Sequence, residues 1–253
     1  MWTALTRKVS PALGRCELEY LSRQEINIDK ASVQHERYEA CLSELGLRLV
    51  SLPAEPDLPD SMFVEDPAVV VDELAVITNM GNVVRRAESS TIATALAPFR
   101  ELYSMHEPAT LEGGDVLGVG RRVFVGLSTR TNRQGVDQLA SALEPHGYAV
   151  IPVEVRGCLH LKSACCDLGN GAILANRAWV DITPFAEFRI VDVAPDEPGA
   201  ANVLTIGDTV IAADAYPATA AILRRFGYRV RTLDISELMK AEAGLTCSSL
   251  IFK

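Results

Sequence analysis

The chain has 253 residues, of which 48% are hydrophobic and 23% charged, enough apolar side chains for a large buried core and too many for a disordered chain. With 24 Lys and Arg against 33 Asp and Glu, the net charge is −9, which argues against a partner with a phosphate backbone and favours cationic ligands. No run approaches ~18 uninterrupted apolar residues and the first residues carry no apolar leader, so a cytoplasmic protein without membrane spans is expected.

Apolar and small positions recur through Val33, Tyr38, Cys41, Leu42 and Leu45, which predicts a helix over 31–45 ended by Gly46. A strand over 47–52 follows. A loop bearing prolines and acids then runs to Asp60-Ser61-Met62-Phe63-Val64-Glu65-Asp66 and opens a hairpin of strands 68–71 and 75–78. The same order returns with a helix over 89–97, a strand near 102–105, the motif Glu112-Gly-Gly-Asp115, and a hairpin of 116–119 and 123–127. A third unit has a helix over 132–143, a strand over 149–153, the stretch from His160 to Asp167, and a hairpin turning at Gly169-Asn170-Gly171. A fourth hairpin, 203–206 with 210–213, turns at Gly207-Asp208; a helix over 217–226, a strand over 228–233 and a last strand over 250–252 complete the chain.

The residues just before these hairpins, Asp66, Asp115, Asp167 and Asn202, and then Cys247 before the last strand, are separated by 49, 52, 35 and 45 residues. Steps of roughly 20–50 residues between like units signal a repeat architecture. No such unit could bury its apolar face alone, so residues 1–253 are expected to form a single ring of about five hairpin-helix-strand units, an α/β propeller. Polar residues at the heads of the hairpins would then converge on the axis: Asp60, Glu65 and Asp66, Glu112 and Asp115, His160, and Cys247.

A free thiol, with a pKa near about 8.5, needs a cation beside it to attack as thiolate. His160 as imidazolium, or a positively charged substrate, would supply one, and Glu112 would orient the imidazole as the acid does in a nucleophile-base-acid triad. A pocket lined by Asp66, Glu112 and Glu65 repels an oxyanion and holds a cation, so the electrophile should be positive. A guanidinium is planar, carries donors that match carboxylate oxygens, and has a central carbon open to a thiolate. Each residue also has a plain reading: Cys247 as a buried core thiol, Asp66 as a turn former before Pro67, His160 as a core histidine in a strand, and Arg85-Arg86 as a solvated pair. His35, His106 and His146 are read as surface residues. The cysteines Cys16, Cys41, Cys158, Cys165, Cys166 and Cys247 are scattered irregularly, unlike a disulfide framework, and reduced thiols are expected. Cys158-Leu-His160 with Cys165-Cys166 contains ligating residue types but no C-x-x-C pair, so core packing is preferred and no metal or other cofactor is expected.

Ser61-Met-Phe-Val-Glu-Asp-Pro67, Glu112-Gly-Gly-Asp115, Arg130-Thr-Asn132, Leu159-His-Leu-Lys162 and Cys247-Ser-Ser-Leu250, in this order across nearly the whole chain, resemble the dimethylarginine dimethylaminohydrolases of the guanidino-modifying superfamily. The resemblance implies a five-unit α/β propeller in which Cys247 attacks the guanidinium carbon of an N-methylated arginine. His160 then protonates the departing amine and activates water, and a covalent thiouronium intermediate is hydrolysed to citrulline. It further implies that Glu112 orients His160, that Asp66 (with Glu65 near it) binds the guanidinium nitrogens, and that Arg85 and Arg130 clamp the substrate's α-carboxylate. Asp60 and the backbone at Leu18 would meet its α-amino group. The partner expected is thus a small guanidino compound, not nucleic acid or a membrane; a homodimer stays open.

The chain departs from the family pattern at Cys16-Glu-Leu-Glu-Tyr-Leu-Ser-Arg-Gln-Glu25, which is more acidic and bulkier than the usual substrate-covering loop, and at Ile251, where arginine is usual. It also lacks the helical insertion of arginine deiminases. Two other readings stand beside the leading one: a relative acting on hydroxyarginine, arginine or another guanidine, and a non-catalytic propeller that binds a partner.

Overall fold

The chain opens with strand β1 (Thr3–Arg7), helix α1 (Ile28–Glu44) and strand β2 (Arg48–Leu52) in the computed structural model, which describes residues 1–253. Next come β3 (Ala68–Val70), β4 (Leu74–Ile77), α2 (Ser89–Leu96) and β5 (Glu101–Ser104), and then β6 (Val116–Val119), β7 (Arg122–Leu127), α3 (Arg133–Leu143) and β8 (Ala149–Glu154). A one-turn helix α4 (Leu161–Ala164) leads to β9 (Cys165–Gly169), β10 (Ala172–Ala175) and β11 (Arg189–Asp192), followed by β12 (Leu204–Ile206), β13 (Thr209–Ala213), α5 (Pro217–Arg225) and β14 (Arg229–Leu233). A short α6 (Ser236–Met239) and β15 (Leu250–Phe252) end the chain.

The strands form five sheets of three, each with a central strand flanked by one antiparallel and one parallel neighbour. In four of them the chain visits the strands in order. The fifth is assembled from both ends: β15 runs antiparallel to β1, with Leu5 opposite Leu250 and Thr3 opposite Phe252, and β1 runs parallel to β2. A parallel pair requires a crossover, and α1, α2, α3 and α5 supply it in four units. The unit of β9, β10 and β11 crosses over through only a single 3-10 turn at Thr183–Phe185, which is why its repeat is the shortest.

Five apolar clusters hold the units together, one at each junction. Period-two alternation makes this possible, because successive residues of a central strand point to opposite faces. In β4, Leu74 and Val76 enter the cluster shared with β6–β8, whereas Ala75 and Ile77 enter the one shared with β1 and β15. In β10, Ile173 and Ala175 face Phe124, and Ala172 and Leu174 face Val210. β13 splits likewise, and Ala4 and Leu5 of β1 close the circle by serving the last two clusters. This is the five-unit α/β propeller expected from the repeat.

Several local expectations shift. α1 starts at Ile28 because the Asn27 side chain accepts the Lys30 N–H at 2.9 Å and caps the helix. Asp167 lies inside β9 rather than ahead of it, and His160 stands at the head of α4, not within a strand. His35 is not a surface residue: it is 1% exposed, with Nε2 3.3 Å from Glu39, while His106 and His146 are exposed. Ile251 lies opposite Ala4 and packs on the cluster shared by the units of β1 and β13. No helix is long and apolar enough to cross a membrane.

The closure of the ring is testable at Phe252, which is 3% exposed and meets the Phe99 ring edge-on at 5.3 Å. Phe252→Ala should lower the unfolding free energy by about 3–5 kcal/mol in chemical denaturation, the range for an aromatic removed from a packed core.

Candidate active site

Four of the five first strands are preceded by a short helical turn: Gly113–Asp115 before β6, α4 before β9, Pro198–Ala201 before β12 and Thr246–Ser248 before β15. Glu112 and His160 hold the same position in two of them, the extended residue that caps the turn. The ring brings them together across 48 residues: His160 Nε2 lies 2.8 Å from Glu112 Oε2. On the other side of the imidazole, Nδ1 is 3.9 Å from Asp66 Oδ1. Cys247, partly exposed, sits in the last turn, where its backbone oxygen accepts the Glu65 N–H at 3.2 Å and its Sγ receives the Gly244 N–H at 3.4 Å.

Burial disfavours charge on His160, but Asp66, the hydrogen bond to Glu112 and Asp115 outweigh it and raise its pKa to about 9. The Glu112 carboxyl is likewise pushed up by burial and pulled further down by His160, Arg85 and Arg130, so the pair rests as imidazolium and carboxylate. Cys247 moves the other way. Burial first, then the Glu65 and Asp66 carboxylates, drive its pKa far up, and the Gly244 N–H and Lys162 do not restore it. The resting nucleophile is a neutral thiol.

Every carboxylate around the thiol has a partner. Asp66 accepts the Gly114 N–H at 3.0 Å with Oδ1 and Arg85 Nη1 at 2.7 Å with Oδ2, and Arg85 is forked onto Glu88 at 2.9 and 3.1 Å. Glu65 takes Thr246 Oγ1 at 2.9 Å and Lys162 Nζ at 2.5 Å. Glu112 also accepts the Asn82 N–H at 2.9 Å and faces Arg130 Nη1 at 3.4 Å. Asp60, buried, accepts the N–H of Glu17, one residue before Leu18, at 3.1 and 3.3 Å. Residues 16–25 lie over this side without helix or strand, and Glu19 reaches Arg130 Nε at 3.1 Å.

Of the residues singled out from the sequence, Asp66, Arg85, Glu112, Arg130 and His160 are thus joined by direct contacts, Glu65 is joined to Cys247, and Asp60 to the segment that bears Leu18, although Arg85 meets acids and Glu65 a cation of the protein itself. Asp115, expected at the axis but given no role from the sequence, is wholly buried and accepts from Ser128 Oγ (2.6 Å), Thr131 Oγ1 (2.7 Å) and the Leu161 N–H (2.9 Å), fixing the turn that bears His160. Its place in Glu112-Gly-Gly-Asp115 was the available signal. Lys162, two residues after His160, and Glu88, three after Arg85, were not singled out from the sequence.

The ligating residue types that come together are Asp66, Glu112 and His160, within 4.8 Å of one another, with Arg85 and Arg130 already neutralising two of them. Cys158 and Cys165 pack in one apolar cluster and Cys166 in the next. Two cavities flank the centre: one of about 480 Å³ along the axis beyond Glu65 and Lys162, and one of about 410 Å³ lined by Tyr20, Leu21, Trp179, Tyr216, Glu242 and Gly244.

A thiol, an imidazole held by a carboxylate, and further acids at the axis of a five-unit propeller define a cysteine-dependent hydrolase of C–N bonds in linear amidines. Comparison with known proteins agrees. A family model described as arginine deiminase matches residues 54–168. The chain is 37% identical to the N(G),N(G)-dimethylarginine dimethylaminohydrolase of Streptomyces coelicolor over 98% of this chain and 95% of that one. To the Pseudomonas aeruginosa protein of the same name it is 35% identical, over 88% and 89%. The Pseudomonas aeruginosa enzyme, solved as a cysteine-to-serine variant complexed with citrulline, superposes over the full length of both chains with a TM-score of 0.94 at 31% identity. A cyanobacterial arginine dihydrolase domain shares the fold, with a TM-score of 0.88 at 16% identity. The chain belongs to the dimethylarginine dimethylaminohydrolase family.

Two predictions follow from the geometry. A Cβ on Gly114 would lie 2.5 Å from His160 Nδ1 and 2.8 Å from Asp66 Oδ1, so Gly114→Ala should cut turnover at least tenfold while the protein stays folded by circular dichroism. His160 is more basic folded than unfolded, so its stabilising contribution is complete below about pH 6.5 and lost as pH rises through about 9. Relative to His160→Asn, the wild-type unfolding free energy should fall by on the order of 3 kcal/mol across that interval in denaturant titrations.

Proposed function

We propose that the enzyme hydrolyses N-methylated L-arginine, asymmetric dimethylarginine or the monomethyl form, to citrulline and dimethylamine or methylamine. The observation that carries this reading is the placing of Cys247, on the turn bound to the Glu65 N–H, among acids that favour the neutral thiol. A thiol in that setting ionises when a cation arrives next to it, and a guanidinium brings the cation and the electrophilic carbon together. The Pseudomonas aeruginosa relative complexed with citrulline, and a dimethylarginine dimethylaminohydrolase variant solved as an adduct with S-methyl-L-thiocitrulline, support the same substrate class.

In this scheme Cys247 Sγ bonds to the guanidinium carbon as its S–H bond breaks and the proton passes to solvent, giving a neutral tetrahedral adduct. His160, protonated at rest, gives a proton to the departing amine as the C–N bond breaks, which leaves a thiouronium on Cys247. The neutral imidazole then takes a proton from water, whose oxygen attacks the same carbon; the C–S bond breaks, the hydroxyl proton passes to the sulfur to restore the thiol, and citrulline departs. Glu112 keeps the ring oriented and charged for the first half of the cycle. Asp66 holds the guanidinium nitrogens, with Arg85 and the Gly114 N–H fixing its angle. Since Arg85 donates at Nε, Nη1 and Nη2 to protein acceptors, the α-carboxylate falls mainly to Arg130, whose Nη2 makes no hydrogen bond. Asp60 and the backbone at Leu18 receive the α-amino group. Six unpaired cysteines suit a reducing cytoplasm.

Incubation with asymmetric dimethylarginine should release citrulline and dimethylamine in equal amounts. Cys247→Ser should release none, and His160→Asn should turn over ~10²–10⁴-fold more slowly. Citrulline formed at the wild-type rate by Cys247→Ser would refute the mechanism. Faster turnover of arginine or hydroxyarginine in the same assay would move the substrate to another guanidine.

A further inference from the structure

Beyond Glu17, whose N–H is bound by Asp60, the stretch from Leu18 to Glu25 is exposed except at Leu18, yet it is held down by carboxylate contacts at two further points. One acid, Glu242, gathers the N–H groups of Glu19, Tyr20 and Leu21, from a left-handed backbone with φ 58°. The second contact is made by Glu19 itself. Its Oε2 accepts from Arg130 Nε at 3.1 Å and its Oε1 accepts from Thr129 Oγ1 at 2.9 Å. Arg130 is 8% exposed, and its other side-chain contact, to Glu112, is long at 3.4 Å. Glu19 therefore supplies Arg130 with its shorter hydrogen bond, through the functional group that an amino-acid substrate would present.

We infer that Glu19 is a specificity-determining residue that competes from within the chain with the substrate's carboxylate for Arg130. The inference rests on the reading that Arg130 receives that carboxylate. Both carboxylates need the same donor, so a substrate that carries one binds only as Glu19 lets go. A guanidine without a carboxylate leaves the Glu19–Arg130 pair intact. Release is local and cheap, because the loop buries little apolar surface: Tyr20 and Leu21 remain 47% and 48% exposed above the 410 Å³ cavity. Glu19 touches neither Cys247, His160 nor Glu112, so its effect belongs to binding and leaves the chemical steps alone.

Steady-state kinetics of wild type, Glu19→Gln, Glu19→Ala and Thr129→Val with N-monomethyl-L-arginine and with its decarboxylated counterpart, N-methylagmatine, test this. Glu19→Ala should lower KM for the amino acid about two- to fivefold, the range for a partly exposed ion pair, with kcat unchanged and KM for the amine unmoved. Glu19→Gln and Thr129→Val should shift KM the same way by less. A KM for the amino acid that stays constant or rises in Glu19→Ala, in a wild type that turns the compound over, overturns this inference alone. Equal shifts for both compounds overturn it too, by making Glu19 only a loop anchor. A wild type that turns over neither compound removes the functional reading and this inference with it.

Discussion

The pairing of β15 with β1 is the contact on which the site depends. Three residues before β15 lies Cys247, and the turn that carries it is fixed on one side by this strand pair and on the other by the Glu65 N–H. The two segments joined are the first and last of the chain, so the thiol reaches the axis only when the whole ring has closed. Closure gains little from local propensity, since β15 has only three residues. It is secured by burial: Leu5, Leu250 and Phe252 enter one cluster with Val64, Ala68 and Ile92 of the next unit. Placement of the nucleophile and completion of the core are thus one event.

Inside the ring, electrostatics follow from desolvation. A buried carboxylate is costly unless paired and hydrogen-bonded, and here Glu65, Asp66, Glu88, Glu112 and Asp115 each have named partners. The thiol has no cation of its own that suffices. Lys162 is committed to Glu65, and the imidazolium to Glu112 and Asp66. In the proposed scheme an arriving guanidinium supplies the missing cation, so that ionisation of Cys247 follows substrate binding.

Much of this was legible because the repeat keeps its punctuation. Turns at Gly120, Gly169-Asn170-Gly171 and Gly207 have the left-handed backbone that their residues suggest, and the hairpins fall where alternation places them. β1 escaped notice because Thr3-Ala-Leu-Thr-Arg7 reads as polar. All five residues are nonetheless buried: Thr6 donates to Glu39 at 2.7 Å and Arg7 pairs with Glu55 at 2.6 Å, so distant partners convert polar side chains into core. The same long-range satisfaction hid His35. β11 was missed because its unit lacks the crossover helix that announces a parallel strand elsewhere. The members of the site were visible as types in order, whereas their pairings, such as Arg85 on Asp66 and Glu19 on Arg130, join residues that no spacing rule connects.

The glycines among the motif residues have a steric role that a reading for chemistry alone overlooks. A Cβ on Gly113 would sit 2.0 Å from the Glu65 oxygen, and one on Gly244 would meet the Asn202 side chain at 2.3 Å. Asn202 in turn donates to the Lys162 oxygen at 3.0 Å and accepts the Thr246 N–H at 3.1 Å, bracing the nucleophile's turn against the segment after His160. Absent side chains therefore let Gly113 approach the Glu65 backbone and Gly244 the Asn202 side chain. Groups held this closely reorganise little as charge moves from guanidinium to leaving amine, and that preorganisation is what a propeller axis offers a reaction whose only mobile charges are protons and the substrate's own cation.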